Sequence, residues 1–343
     1  MLDPAGWRPA HIAAPSPLLV VIVDTEEEFD WSRPLSRDAV SVRAMASQAK
    51  AHPIFERHGI TPTYVLDYPV ATREDGFRPL RELYADGRCG IGAHLHPWVN
   101  PPHEETVTNF NSYPGNLPPS LEREKLARLT GAIEASFGVR PTLYKAGRYG
   151  VGRATAGILD ALGYEIDASV VAWTDLSEDE GPDFRHCGAD PYWFGRNRSL
   201  LELPVTAGFV GAFSRFGRTL YWPAVTPAAR LLRVPGLLAR LGILERIRLS
   251  PEGMTVAEMK RLTGRLIAAG HRVFSFTYHS PSLAPGNTPY TPDTPALARF
   301  LERFEQYFAY FMGELGGRPA TPGDVLAFAR AGEVQGQPAS HRS

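Results

Sequence analysis

The chain alternates short apolar runs with longer stretches in which apolar residues recur at helical spacing. Residues 18–23, "LLVVIV", are uninterrupted and apolar, the mark of a strand buried on both faces. The same reading predicts six further strands, at 62–66, 88–96, 142–147, 164–170, 199–205 and 271–279. Helices are predicted at 38–58, 79–86, 120–137, 154–162, 255–269 and 295–315. Gly163 and Gly270 stand where two of them should stop. A last short helix is predicted from Gly323-Asp324, with Asp324 as candidate N-cap. A proline-rich loop occupies 97–120.

Strand–helix alternation repeated this often predicts an α/β fold, a parallel sheet covered by helices. Neither GxGxxG nor GxxxxGK[ST] follows the first strand, which removes the main sign of a nucleotide-binding doubly wound fold. A barrel of parallel strands remains. Residues 1–331 are expected to form one domain, with 208–253 an insertion carrying lid helices and 332–343 a disordered tail.

In such barrels the chemistry sits at the carboxyl ends of the strands. Asp24 and Glu26 follow the first strand, in "VDTEEEFDW". His94 and His96 close the third, Arg148 follows the fourth in "KAGRYG", Asp167 lies in the fifth, and His279 ends the last. Side chains at i and i+2 of a strand share a face, so Asp24 pairs with Glu26 and His94 with His96. Two imidazoles and a carboxylate suit a divalent cation with one position left for water. That cation would also offset repulsion among the acids. A second carboxylate beside it would serve as general base, oriented by Arg148, and His279 would protonate a leaving group. Taken singly, each feature also has a plain structural reading: a solvated acidic turn, a strand cap, a surface ion pair, a satisfied core histidine.

Composition narrows the partners. The 343 residues are 43% hydrophobic and 21% charged, with a formal net charge of −1, so the chain as a whole has no electrostatic case for nucleic acid or an anionic membrane. Cys89 and Cys187 are too few and too far apart for a disulfide framework or a zinc ribbon. The first residues lack the pattern of a signal peptide, and no apolar run is long enough to span a bilayer, so a cytoplasmic location is expected. Residues 228–249 are apolar and arginine-rich around Pro235. They read first as a pair of packing helices broken at the proline, and second as a lid or membrane-surface patch. Trp31, Trp98, Phe110, Tyr113 and Tyr149 lie near the motifs as candidate sugar-stacking rings.

The order acid pair, histidine pair, arginine, aspartate, histidine resembles the polysaccharide deacetylase family, the carbohydrate esterases with a NodB homology domain. "VDTEEEFDW", "IGAHLHPWVNPP", "KAGRYG", "DASV" and "YHSPSLAPGNTPY" read most like its WalW-like branch. The resemblance runs from about Leu18 to Leu283. It implies a distorted (β/α)7 barrel and metal-dependent removal of an acetyl group from an N-acetylated sugar or polysaccharide precursor. It implies that Asp24 is the base, Glu26, His94 and His96 the metal ligands, Arg148 the holder of the base, and His279 the acid, tuned by Asp167. The metal implied is Zn²⁺, with Co, Mn, Ni and Fe as alternatives. The sequence departs from the family where Thr25 separates the acids, where Trp98 occupies the usual i+4 histidine position, and where Tyr149 follows the arginine. His103 is therefore an alternative to His96. Two other readings compete: a barrel amidohydrolase acting on a small amide, and a carbohydrate-binding homologue without turnover.

Overall fold

The computed structural model describes residues 6–30 and 32–335. Trp31 and the tail beyond Gln335 lie outside them. The helix Pro322–Gln335 carries ordered chain past 332, where a tail was expected to begin.

Seven strands form the main run of parallel pairing among the described residues: β1 (Leu18–Thr25), β2 (Thr63–Leu66), β3 (Gly90–Leu95), β4 (Leu143–Ala146), β5 (Ile166–Asp167), β6 (Leu200–Glu202) and β7 (Val273–His279), while the short Arg318–Pro319 pairs in parallel with β1 off this run. They lie side by side in the order β6-β5-β4-β3-β2-β1-β7. The result is a curled, open (β/α)7 barrel. Tyr192–Phe194 and Arg8–Pro9 add antiparallel edges beyond β6. A separate hairpin, Ala207–Val210 with Glu245–Arg248, stands off this sheet.

Strand alternation sorts β1 into two packed faces. Leu19, Val21 and Val23 join the cluster that contains the helices' apolar faces. Leu18, Val20 and Ile22 line the lumen with Val65, Leu143, Ile166, Leu201 and Val273. Val325, Leu326 and Ala329 of the last helix enter this second cluster and plug the barrel floor. The lumen is crowded at Gly92, where a Cβ would come within 2.8 Å of Val65 Cγ1 and 2.9 Å of the Leu143 carbonyl oxygen. On the outside of β7, Phe276 and Tyr278 pack against Phe300, Phe304 and Phe308 of the helix Thr294–Ala309.

The helices depart from their expected bounds in instructive ways. Residues 38–58 hold only a 3-10 turn, Arg43–Lys50, and the helix His52–Arg57. The helix expected at 79–86 runs from Glu74 to Ala85, with Pro79 inside it. Thr321, not Asp324, caps the last helix. Its hydroxyl accepts from Asp324 N, while the Asp324 carboxylate accepts from Thr321 N in return, a reciprocal cap.

Phe304 meets five aromatic rings in the core. Phe304→Ala is expected to cost about 3–5 kcal/mol of stability, read as a lowered urea midpoint at unchanged m-value.

Candidate active site

Parity and register together build the site. Asp24 lies on the lumen side of β1, in step with Leu18, Val20 and Ile22, and Glu26 follows it by two residues. The register sets His279 of β7 beside Asp24, and His94 of β3 beside Lys145 of β4. Asp24, Glu26, His94 and His96 are all buried at the bottom of a cavity of about 600 Å³. Asn109, Tyr113, Arg148, Tyr149, Arg248 and Tyr290 form much of its wall.

Glu26, His94 and His96 converge. Glu26 Oε2 lies 3.7 Å from His94 Nε2 and 3.4 Å from His96 Nε2. The other ring nitrogens are committed elsewhere. His94 Nδ1 donates to the Lys145 carbonyl at 3.0 Å, and His96 Nδ1 to Glu27 Oε2 at 2.8 Å. Those bonds fix both tautomers so that bare Nε2 lone pairs face Glu26. Glu26 Oε1 is buried without a hydrogen-bond partner. Burial pushes the Glu26 carboxyl up to about 7, pulls His96 down to about 4 and lowers His94 as well, so both imidazoles are neutral. A borderline cation taking two nitrogens and one oxygen fits this donor set. His103 is exposed and outside the group, so His96 is the second histidine that the geometry brings in.

Behind His96 lies a second buried cluster, Glu27 with Asp67. Its atoms are already spoken for. Glu27 Oε1 accepts from Trp98 Nε1 at 2.8 Å, while Asp67 accepts from Val70 N and Glu27 N. Trp98, which occupies the usual histidine position, also stacks on His96 with centroids 4.3 Å apart. This cluster clamps the imidazole and leaves no bare donor for a second ion.

Two supporting roles fall to residues other than those expected. Lys145 Nζ, fully buried, donates to both oxygens of Asp24 at 2.5 and 2.8 Å. Burial would raise the Asp24 carboxyl, but Lys145, His94 and His279 outweigh it and hold it below the usual carboxylate range. Arg148 does not reach Asp24 in this way. Its turn, Gly147–Tyr149, leaves the strand with φ 51° at Arg148, and the guanidinium bonds to Asp179, Asn109 and Ser112 over the Tyr113 ring. Arg148 is cavity wall. Gly147 is required at that turn because a Cβ would collide with the Leu95 carbonyl and the His96 ring.

Glu252, not Asp167, holds the histidine of the last strand. Its carboxylate accepts from His279 Nδ1 at 2.7 Å and from His279 N at 3.0 Å. His279 Nε2 is thereby aimed at the site, 3.7 Å from Asp24 Oδ2. Burial lowers the imidazole's affinity for its proton, but Glu252, Glu26 and Asp24 more than reverse this and raise it to about 10. Asp167 has the opposite parity to Ile166, which faces the lumen. It therefore points to the outer layer, bonds to Ser169 and lies opposite Glu202. Burial raises both of these carboxyls, a structural pair remote from the cavity.

Of the candidate stacking rings, Tyr113 and Tyr149 line the cavity, while Phe110 is exposed and Trp98 buried.

No family model and no curated protein matches the chain significantly. Among solved structures, a protein from Mycobacterium smegmatis provisionally classed as a polysaccharide deacetylase shares 18% identity, with all of both chains covered and a TM-score of 0.55. The chain has the polysaccharide deacetylase fold. A Xyl-CE4 domain from a Trinervitermes trinervoides hindgut metagenome aligns at 11% identity over 96% of each chain, with a TM-score of 0.43. A family 4 carbohydrate esterase from Streptomyces lividans aligns at 9% identity over 89% of this chain and 92% of its own, with a TM-score of 0.42. The likeness to the polysaccharide deacetylase fold does not extend to a branch.

Because Glu27 orients His96, Glu27→Gln is expected to weaken zinc binding by about 10–100-fold, measured by competition with a chromogenic chelator.

Proposed function

We propose that the protein is a metal-dependent hydrolase that removes an acetyl group from an N-acetylated sugar or polysaccharide precursor. The observation that carries this reading is the Glu26–His94–His96 group, with its bare buried oxygen, set against the Asp24–His279 pair. Glu26, His94 and His96 would hold the cation. Bound there, a divalent ion polarises a carbonyl and makes a neighbouring water more acidic.

The chain's own groups divide the proton transfers between them. Asp24, kept ionised by Lys145, takes a proton from the attacking water as its oxygen adds to the acetyl carbon. His279, kept protonated by Glu252, gives its proton to the amide nitrogen as the carbon–nitrogen bond breaks. Acetate and a free amine leave. The two groups hold opposite protonation states at neutral pH because their buried partners differ in sign: a lysine for the base, a carboxylate for the acid. Tyr149 and Tyr290 bring aromatic surface to the cavity wall, suited to a sugar.

With zinc supplied, the protein is expected to release acetate from N-acetylglucosamine oligomers in preference to small amides. Asp24→Asn and His279→Gln should each lower kcat by about 10²–10⁴-fold. Arg148→Ala should raise KM with kcat little changed, since Arg148 belongs to the wall rather than to the base. A kcat loss in Arg148→Ala equal to that of Asp24→Asn would return the base-holding role to Arg148.

A further inference from the structure

We propose that residues 213–241 form a docking surface for an anionic lipid bilayer. Nine large hydrophobic side chains are exposed among the described residues, and seven of them fall in this one stretch: Phe213, Phe216, Leu220, Leu231, Leu232, Leu237 and Leu241. Leu231 is 85% exposed and Leu232 76%. The packing helices expected here do form, as Pro227–Leu231 and Val234–Arg240, but they turn these leucines outward. Their break is at Arg233, which takes φ 55°, with Pro235 in the first turn of the second helix.

Charge identifies the occupant. From Leu203 through Leu244 the chain has five arginines, at 215, 218, 230, 233 and 240, and no acidic residue, in a protein whose net charge is −1. All five are exposed. A second copy of the chain would bring these like charges together over the leucines. An anionic bilayer would take both features at once, apolar side chains into the interface and guanidinium groups onto phosphates.

The surface is fixed in place and adjoins the cavity. Its two ends are joined by the hairpin Ala207–Val210 with Glu245–Arg248, and by bonds from Ala212 N and Phe213 N to Gly242 and Ile243. Arg230 pairs with Glu178 at 2.8 Å, and Arg218 lies over the Trp173 ring. The next residue, Asp179, pairs with Arg148 in the cavity wall. A docked protein would thus set its cavity close to the membrane plane, positioned for a sugar carried on a lipid. The docking itself stands independently of the proposed chemistry.

The full chain is sedimented with vesicles of phosphatidylcholine plus phosphatidylglycerol, and with vesicles of phosphatidylcholine alone. Binding is expected to the anionic vesicles, weakening as salt is raised. The triple variants Leu231→Ser/Leu232→Ser/Leu237→Ser and Arg230→Gln/Arg233→Gln/Arg240→Gln should each bind at least about tenfold more weakly, with melting temperatures unchanged. Failure of the unaltered protein to bind anionic vesicles would overturn the proposal. So would binding that persists in both variants, or a dimer in ultracentrifugation that the leucine substitutions convert to monomer.

Discussion

Buried acids of one sign cannot share a small space unless positive charge lies among them. Asp24, Glu26, Glu27 and Glu252 are all buried around one cavity floor. Lys145 supplies one positive charge, placed on Asp24, and the imidazolium of His279 supplies another, placed on Glu252. Trp98 Nε1 and His96 Nδ1 donate to the Glu27 carboxylate, while Asp67 accepts from the Glu27 and Val70 amide groups. Glu26 alone keeps an oxygen without a partner, opposite two neutral imidazoles. The arrangement of the floor follows from this balance: each acid has its own counterpart, and the remaining one has a place for a cation.

The barrel delivers these groups because two simple geometric rules act together. Alternation decides which side chains enter the lumen, and parallel register decides which of them become neighbours. Leu143 and Lys145 share a lumen-facing parity, so the lysine reaches Asp24 across the barrel. Ile166 takes the lumen position in β5, so Asp167 is turned outward. The helices contribute indirectly. Aromatic packing under β7 holds the strand whose last residue is His279, and the cap that Asp67 makes on the helix Tyr68–Thr72 also fixes the amide of Glu27.

Much of this was legible in the residues. Six of the seven strands lie within their expected stretches, and β1 runs two residues past its own, to Thr25; long apolar or alternating runs are strong signals. The i, i+2 spacing brought out Asp24, Glu26, His94 and His96, which do meet. The supporting residues were harder to read. Lys145 sits two residues before Gly147 and in step with Leu143, so parity alone could have raised it, whereas Arg148 lies past the strand end, where parity no longer applies. Glu252 lies in an irregular stretch with no periodicity and reaches His279 only through the fold. Residues 228–249 read first as packing helices and second as a lid or membrane-surface patch, because amphipathic spacing shows that a helix has an apolar face, not what covers it.

The account stands or falls on the convergence of Glu26, His94 and His96 on one cation. The direct measurement is anomalous diffraction from a zinc-soaked crystal. We predict one strong peak on the cavity floor, bonded to Nε2 of His94 and His96 and to a carboxylate oxygen of Glu26. A peak bound through His103, or zinc found only at surface sites while these three side chains stay unbound, would contradict it.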